Sequence, residues 1–443
     1  MFTLVCLVIA FYLFAYVLRE KTILLFIAIR PVLDYWRDWV VFGTKDINLN
    51  LNAAMAILLL LWAFYWTIKN RRFIGSLPGW FWLALTAIVV TLSVLWSFSP
   101  ITSLIEAIKF IDLILLFFLG FVFIQQGKIT IRHALFATVF SAIIPILAGI
   151  TQIITGSGIT TFDLRGRIYG TFGHPNVFAF FLLSLIFLMT QYAIFDKAKF
   201  WQKHSNLKIA LFVLFFGLML LTYTRAAIIG LVIFGIVLGV IKYRKALVAG
   251  LALIALFYLI FYPLNNFLVH KFNYRLQSNP LISRLTERSD EADSISWRIS
   301  LIQETAPIIK THPFFGFGFG TFPIIWEANQ GTRHMYDDSA ESHNDYLRLL
   351  LETGAIGFIA YLMFFVSLFT KIVQRMKTRA CEENHLMLLG WVCAFVVVSV
   401  SDNMLHHTAV MWLTWLWWGL IIGSYQKQCA SPNFLPLIEK LGK

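Results

Sequence analysis

Long apolar runs, each closed by a short basic cluster, recur along this chain and leave it few ways to fold. A run of about 20 apolar residues matches the ~30 Å hydrocarbon core of a bilayer at ~1.5 Å rise per residue. Inside hydrocarbon only helices and closed barrels satisfy every backbone group. The runs here are continuous and not alternating, which excludes a barrel. Composition agrees, with 59% hydrophobic, 16% aromatic and 13% charged residues, against about 25% charged in a soluble chain. The expected fold is an all-α polytopic membrane protein.

Spans are expected at 2–18, 22–36, 50–68, 78–98, 103–124, 131–154, 176–195, 207–224, 225–242, 246–264, 346–371, 385–403 and 407–425. The second is short and interrupted by Arg30, Pro31 and Asp34, so the count is 12 or 13. The apolar run begins directly after Met1 with no basic leader, which reads as a retained first helix. The expected organisation is an N-terminal bundle over 1–264, a polar loop domain over 265–345, and C-terminal helices with a short tail over 346–443. Within the loop, 282–310 suits one or two amphipathic helices. Pro313, Gly316, Gly318 and Gly320 then break the pattern into a turn that leads the chain back to the membrane.

Basic clusters set the orientation. They lie at Lys69, Arg71 and Arg72; Lys128 and Arg132; Lys197, Lys199, Lys203 and Lys208; Lys242, Arg244 and Lys245; and Lys371, Arg375, Lys377 and Arg379. All fall between alternate spans, on one face, which the positive-inside rule makes cytoplasmic. The opposite face holds 155–175, the tip at Thr224–Arg225, 265–345 and the tip at 402–407. The net charge of +13 is therefore topology and not a nucleic-acid-binding surface. Cys6, Cys381, Cys393 and Cys429 form no disulfide framework and no zinc site.

Candidate chemistry gathers on that outer face. Ser342 and Asp345 have capping-box spacing, which starts a helix near His343. The positive end of a helix disfavours imidazolium, leaving His343 neutral and able to accept a proton; the alternative is an interfacial histidine packed beside Tyr346. Arg225 lies between two apolar runs, where an arginine costs ~2.5–3.5 kcal/mol unless it is paired or faces a cavity; the alternative is a snorkelling anchor. Arg298 is a loop arginine, weak by itself. Arg165 and Arg167 face the same compartment with reach to phosphate or sugar acids, and Asn176 reads as the cap of the following span. Glu106, Lys109 and Asp112 share one helical face inside an apolar run, as functional groups or as interhelical glue.

These residues sit in blocks that resemble the O-antigen ligase and polymerase superfamily of bacterial envelope glycan assembly. The blocks are Arg167-Ile168-Tyr169-Gly170-Thr171-Phe172 with Pro175-Asn176; Thr224-Arg225-Ala226; Arg298 with His312-Pro313-Phe314-Phe315-Gly316-Phe317-Gly318; and His343-Asn344-Asp345-Tyr346-Leu347 through Gly357. They cover roughly 160–370, and the first 150 residues are similar only in being apolar. The resemblance implies about 12 membrane helices and one large extracytoplasmic loop, a GT-C-like glycosyltransferase of the bacterial inner membrane. It implies a glycan donor on undecaprenyl pyrophosphate and an acceptor hydroxyl on a glycan or lipid.

On this reading His343 is the catalytic base, and Arg225 and Arg298 hold the pyrophosphate. Arg165, Arg167, Asn176, Asn344 and Tyr346 are candidate substrate contacts. Direct displacement inverts the anomeric centre and calls for no cofactor and no metal, although Asp290, Glu291, Asp293, Asp337 and Asp338 keep a divalent ion in view. A ligase and a polymerase share this chemistry and differ in acceptor, and the His-Asn-x-Tyr-Leu block favours the ligase. A lipid-linked sugar transporter is the rival of another class, but it would carry its charge along a transmembrane path.

Overall fold

The computed structural model describes residues 2–43, 48–161, 164–195, 205–250, 252, 294–330, 341–376 and 382–429. The N-terminal helices are α1 (Phe2–Leu18), α2 (Thr22–Leu33), α3 (Leu51–Lys69), α4 (Trp80–Leu92), α5 (Pro100–Gln125), α6 (Ile131–Thr155), α7 (Pro175–Met189), α8 (Ser205–Leu221) and α9 (Arg225–Ile241). Next come α10 (Ser294–Ile309) and α11 (Phe322–Gln330), then α12 (Asp345–Met376), α13 (Glu382–Val398) and α14 (Thr408–Cys429). Every expected span has its helix except 246–264, which falls largely outside the described residues. Among the described residues 5 helices are long and apolar enough to cross a membrane, and shorter apolar helices accompany them. The protein is an all-α polytopic membrane protein. Its only described strands form two antiparallel hairpins, β1 (Val40–Gly43) with β2 (Asn48–Asn50) and β3 (Ile159–Thr161) with β4 (Leu164–Arg167).

Helices α5 and α14 form the centre of the bundle. Lipid tails are as apolar as leucine, so helices associate in a membrane by close packing, which small residues permit. Gly120 rests on the Leu416 carbonyl, and Gly419 and Gly423 rest on the Phe117 and Phe121 carbonyls, where a side chain would overlap backbone. Around this contact Trp415 stacks on Phe364 at 5.6 Å and on Trp418 at 5.8 Å.

The segments between helices sort to two ends. At one, Lys128 reaches Glu20 at 3.3 Å and Gln126 donates to Asn70 at 2.7 Å. At the other, Thr171 donates to the Pro31 carbonyl at 2.7 Å, Arg30 to Thr408 at 3.0 Å, and the Phe98 amide to the Phe317 carbonyl at 3.2 Å. Arg30 is also paired with Asp34 at 2.9 Å, so the charges that interrupt the second span satisfy each other.

The expected single span over 346–371 is corrected: α12 is broken at Gly354, where φ is 62° and ψ is −169°. A break exposes carbonyls before it and amides after it, and in a membrane these need protein partners. The 312–320 turn supplies them. The Phe317 and Gly318 amides donate to the Leu351 and Glu352 carbonyls at 3.0 Å each, and the Ala355 amide donates to the Pro313 carbonyl at 2.8 Å. Gly316 lies on the Glu352 carbonyl and Gly354 on Phe314, so the turn and the broken helix meet backbone to backbone. The turn is held against the apolar helix α12 by this clasp.

Gly354→Ala tests the clasp. The substitution forces a side chain into left-handed backbone and onto the Phe314 carbonyl, which is expected to cost at least about 1–3 kcal/mol. Gly75→Ala, with nothing within 4 Å of the new methyl, is the control. Melting in detergent should fall clearly for the first and stay at the wild-type value for the second; equal melting would mean the break is not held as described.

Candidate active site

Five segments meet at the end of the bundle that carries the clasp. The first is 167–176, fixed from below by a buried glutamine. Gln152 on α6 accepts from the Tyr169 and Gly170 amides at 2.9 and 3.0 Å and donates to the Gly170 carbonyl at 2.9 Å. One side chain thus satisfies three backbone groups of an irregular loop, as burial requires. The second segment is the turn Thr222–Arg225 between α8 and α9, whose Tyr223 has φ 54°. The chain does turn at Thr224, as two crossings within 207–242 demanded.

Arg167 joins these two segments. It is 6% exposed; its Nε donates to the Thr222 carbonyl at 2.9 Å and its Nη2 to Asn176 Oδ1 at 3.1 Å. Thr224 Oγ1 donates to the same Asn176 oxygen at 3.2 Å. The cap of α7 is not Asn176 but His174, whose Nδ1 accepts the Asn176 amide at 3.1 Å. That leaves the Asn176 side chain to point outward, where its Nδ2 donates to Asp402 Oδ2 at 2.8 Å.

Asp402, in the tip between α13 and α14, is the centre of the cluster and is 2% exposed. His407 Nε2 lies 3.0 Å from its Oδ1, which also accepts the Asn403 amide at 2.9 Å. Burial pushes the carboxyl up, but the His407 hydrogen bond and the charges of His407, His343 and Arg298 outweigh it. They hold Asp402 well below the usual carboxylate range. Burial, then Arg167 and His407, push the His174 pKa down to about 4, although one side of its ring is open to solvent. His174 is therefore neutral at pH 7, as its role as an acceptor requires.

The fourth segment carries His343, which lies outside the helix in left-handed backbone with φ 44°. The expected Ser342–Asp345 capping box does not form. Asn344 is the cap: its Oδ1 accepts the Tyr346 and Leu347 amides at 2.9 and 3.0 Å. Ser342 donates instead to Asn403 Oδ1 at 2.7 Å, and Asp345 accepts the Leu405 amide at 3.2 Å. Asn wins because its side chain is two residues nearer the helix start than that of Ser342. Tyr346 reaches away from the cluster and donates to the Val396 carbonyl at 2.7 Å. The fifth segment is α10, whose Arg298 acts on the charge of Asp402.

The structure thus brings Arg167, Asn176, Arg298 and His343 together around Asp402, and sets Asn344 and Tyr346 to hold the helix behind them. Arg225 begins α9 directly after Thr224, and its buried Nε has no hydrogen-bond partner among the described residues. A guanidinium in that position suits a bidentate anion. Arg165 lies in β4, with its side chain outside the described residues, as are Asp290, Glu291, Asp293, Asp337 and Asp338. No group of three or more candidate metal ligands occurs among the described residues. Asp402, His174 and His407 were not singled out from the sequence. For Asp402 and His407 the signal is Asp402, Asn403, His406 and His407 crowded into a tip between two apolar spans, and for His174 it is its place directly before Pro175 at the start of a span.

Beneath the cluster lies a charge network in the helices. Glu106 pairs with Lys109 at 2.6 Å and with Arg348 at 3.5 Å, and Arg348 pairs with Glu352 at 3.1 Å. Glu352 Oε1 also accepts the Phe322 amide at 3.0 Å, which ties the network to the clasp. Asp112 stands apart, fully buried, with neither oxygen hydrogen-bonded among the described residues.

Residues 210–362 match the family described as O-antigen ligase. The matched segment includes Arg225, Arg298, His343 and the break at Gly354, and the match supports membership of the chain in the O-antigen ligase and polymerase superfamily. No curated protein matches the chain.

The low pKa of Asp402 has a checkable sign. A native pKa below the unfolded value stabilises above that value, ~3.9, and the contribution disappears only as pH falls beneath it. Asp402→Asn should therefore lower stability by about 1–3 kcal/mol at about pH 5, a gap that shrinks only as pH falls below about 3.9. A gap already absent at about pH 5 would show that the native carboxyl is not held ionised.

Proposed function

We propose that this protein transfers a glycan from undecaprenyl pyrophosphate to an acceptor hydroxyl at the extracytoplasmic face of the bacterial inner membrane. The observation that carries the reading is the assembly of His343, Arg298 and Arg167 around the ionised Asp402, inside and beside a segment that matches O-antigen ligases. The match and the fold support a membrane protein of O-antigen ligase or polymerase type. The outer location is supported by the basic clusters, which lie between the spans at the opposite end.

The chemistry follows from the residues. The acceptor oxygen attacks the anomeric carbon; its bond to that carbon forms as the bond to the pyrophosphate oxygen breaks. The electron pair leaves with the pyrophosphate and the acceptor proton passes to His343. Asp402, already ionised, offsets the imidazolium charge as it develops, which is how a carboxylate supports a histidine base. Arg225 and Arg298 neutralise the charge that grows on the leaving pyrophosphate, with a planar fork that matches two oxygens. A single displacement inverts the anomeric centre. The same steps serve a ligase and a polymerase, and the acceptor alone distinguishes them.

Purified protein in lipid bilayers, supplied with lipid-linked oligosaccharide and either a lipid acceptor or further repeat units, tests the reading. Coupled release of undecaprenyl pyrophosphate and growth of the acceptor are expected, and the length of the product separates ligation from polymerisation. Failure to consume the donor with any acceptor would reject it. In the same assay His343→Ala should reduce turnover by ~100- to 10,000-fold, with the protein still inserted and folded. His312→Ala, in the clasp turn and outside the cluster, should retain far more activity.

A further inference from the structure

We infer that Asn403 is a positioning residue whose side-chain amide clamps the His343 loop in its left-handed backbone and so sets the direction of the imidazole. The inference rests on the transferase reading above and deepens it. His343 has φ 44°, a region that residues other than glycine enter at a cost of about 1–3 kcal/mol and keep only when their surroundings hold them there. The residues on both sides of His343 are held by one side chain. Asn403 Oδ1 accepts from Ser342 Oγ at 2.7 Å and from the Asn344 amide at 3.1 Å. Asn403 Nδ2 donates to Glu341 Oε2 at 3.0 Å.

The clamp therefore touches positions 341, 342 and 344 and straddles the histidine. Asn403 is 3% exposed, so these bonds are made away from competing water. Its own amide donates to Asp402 Oδ1 at 2.9 Å. One dipeptide thus supplies both a carboxylate that feels the charge of His343 and the amide that fixes the histidine's backbone. The chemistry is particular to asparagine: aspartate of the same shape keeps the acceptor and loses the donor, and leucine loses both.

Exchanging donor and acceptor tests this. N403D sets a carboxylate against that of Glu341, where the wild-type separation is 3.0 Å. Two such groups cannot both ionise at low cost and will share a proton as pH falls. Misplacement of the base by about 1 Å costs turnover about 100-fold, so N403D should be impaired to that degree at about pH 8. Its turnover relative to wild type at the same pH should rise as pH falls to about 6. The loss should appear in kcat with KM for the donor little changed. E341Q alone keeps an acceptor for Asn403 but removes a charge that acts on Arg348 and His406, so it is the baseline against which the double variant is read at each pH.

The double variant N403D/E341Q reverses the polarity of the bond and should restore turnover at about pH 8. Melting temperatures of the same variants give a readout independent of activity. N403D should be destabilised at alkaline pH, relieved on acidification, and relieved by E341Q. A flat N403D ratio across pH, or a double variant no better than N403D in both turnover and melting, would overturn the clamp. If wild type transfers nothing while the melting pattern holds, the transferase reading falls and the clamp stands.

Discussion

A charged carboxylate taken out of water costs several kcal/mol unless partners surround it, and Asp402 is almost wholly buried. Its partners come from widely separated parts of the chain: Asn176 opens α7, His407 precedes α14, and Arg298 and His343 flank the loop region. Each partner sits on a segment that is itself fixed, Asn176 by Arg167 and Thr224, and His343 by the Asn403 contacts. Satisfying that one charge therefore requires the ends of several helices to stand in register. In the proposed reaction the same requirement preorganises the base and Arg298 before substrate arrives, so that little reorganisation is left for the transition state.

The clasp at Gly354 works on the other side of this arrangement. The break at Gly354 lets the first turns of α12, Asp345 to Thr353, take a direction different from that of the rest of the helix. Charge follows the same path: Arg348 and Glu352 on that first segment tie it to Glu106 on α5 and to the Phe322 amide after the clasp. Intramembrane charge here serves assembly, except at Asp112, whose lack of hydrogen-bond partners among the described residues has no structural account.

Much of the fold was legible in the sequence because hydrocarbon imposes length and hydropathy on every span. The helix positions, the return of the chain at Pro313–Gly320 and the turn at Thr224 all follow from that constraint. Caps and breaks were less legible, since they depend on which of several nearby side chains reaches an amide first. Ser342 and Asp345 had the right spacing, but Asn403 and Leu405 from a distant tip engaged them and left the cap to Asn344. Gly354 looked like one more small residue in an apolar run until its carbonyl neighbours in the 312–320 turn were known. Asp402 was hidden for the same reason: a carboxylate between two spans reads as solvated tip charge, and only its tertiary partners make it the centre of the site.

The central proposal is that Arg225, whose buried Nε has no hydrogen-bond partner among the described residues, grips a pyrophosphate, and direct binding of an undecaprenyl pyrophosphate analogue to Arg225→Lys tests it most directly. Lysine keeps the charge but loses the planar fork, so a gripping role predicts a loss of affinity of about 10-fold or more. An analogue with a single phosphate should then distinguish the two proteins far less. A snorkelling anchor predicts otherwise, because lysine reaches the membrane interface on a stem of similar length. Wild-type affinity for the pyrophosphate analogue in Arg225→Lys would contradict the account.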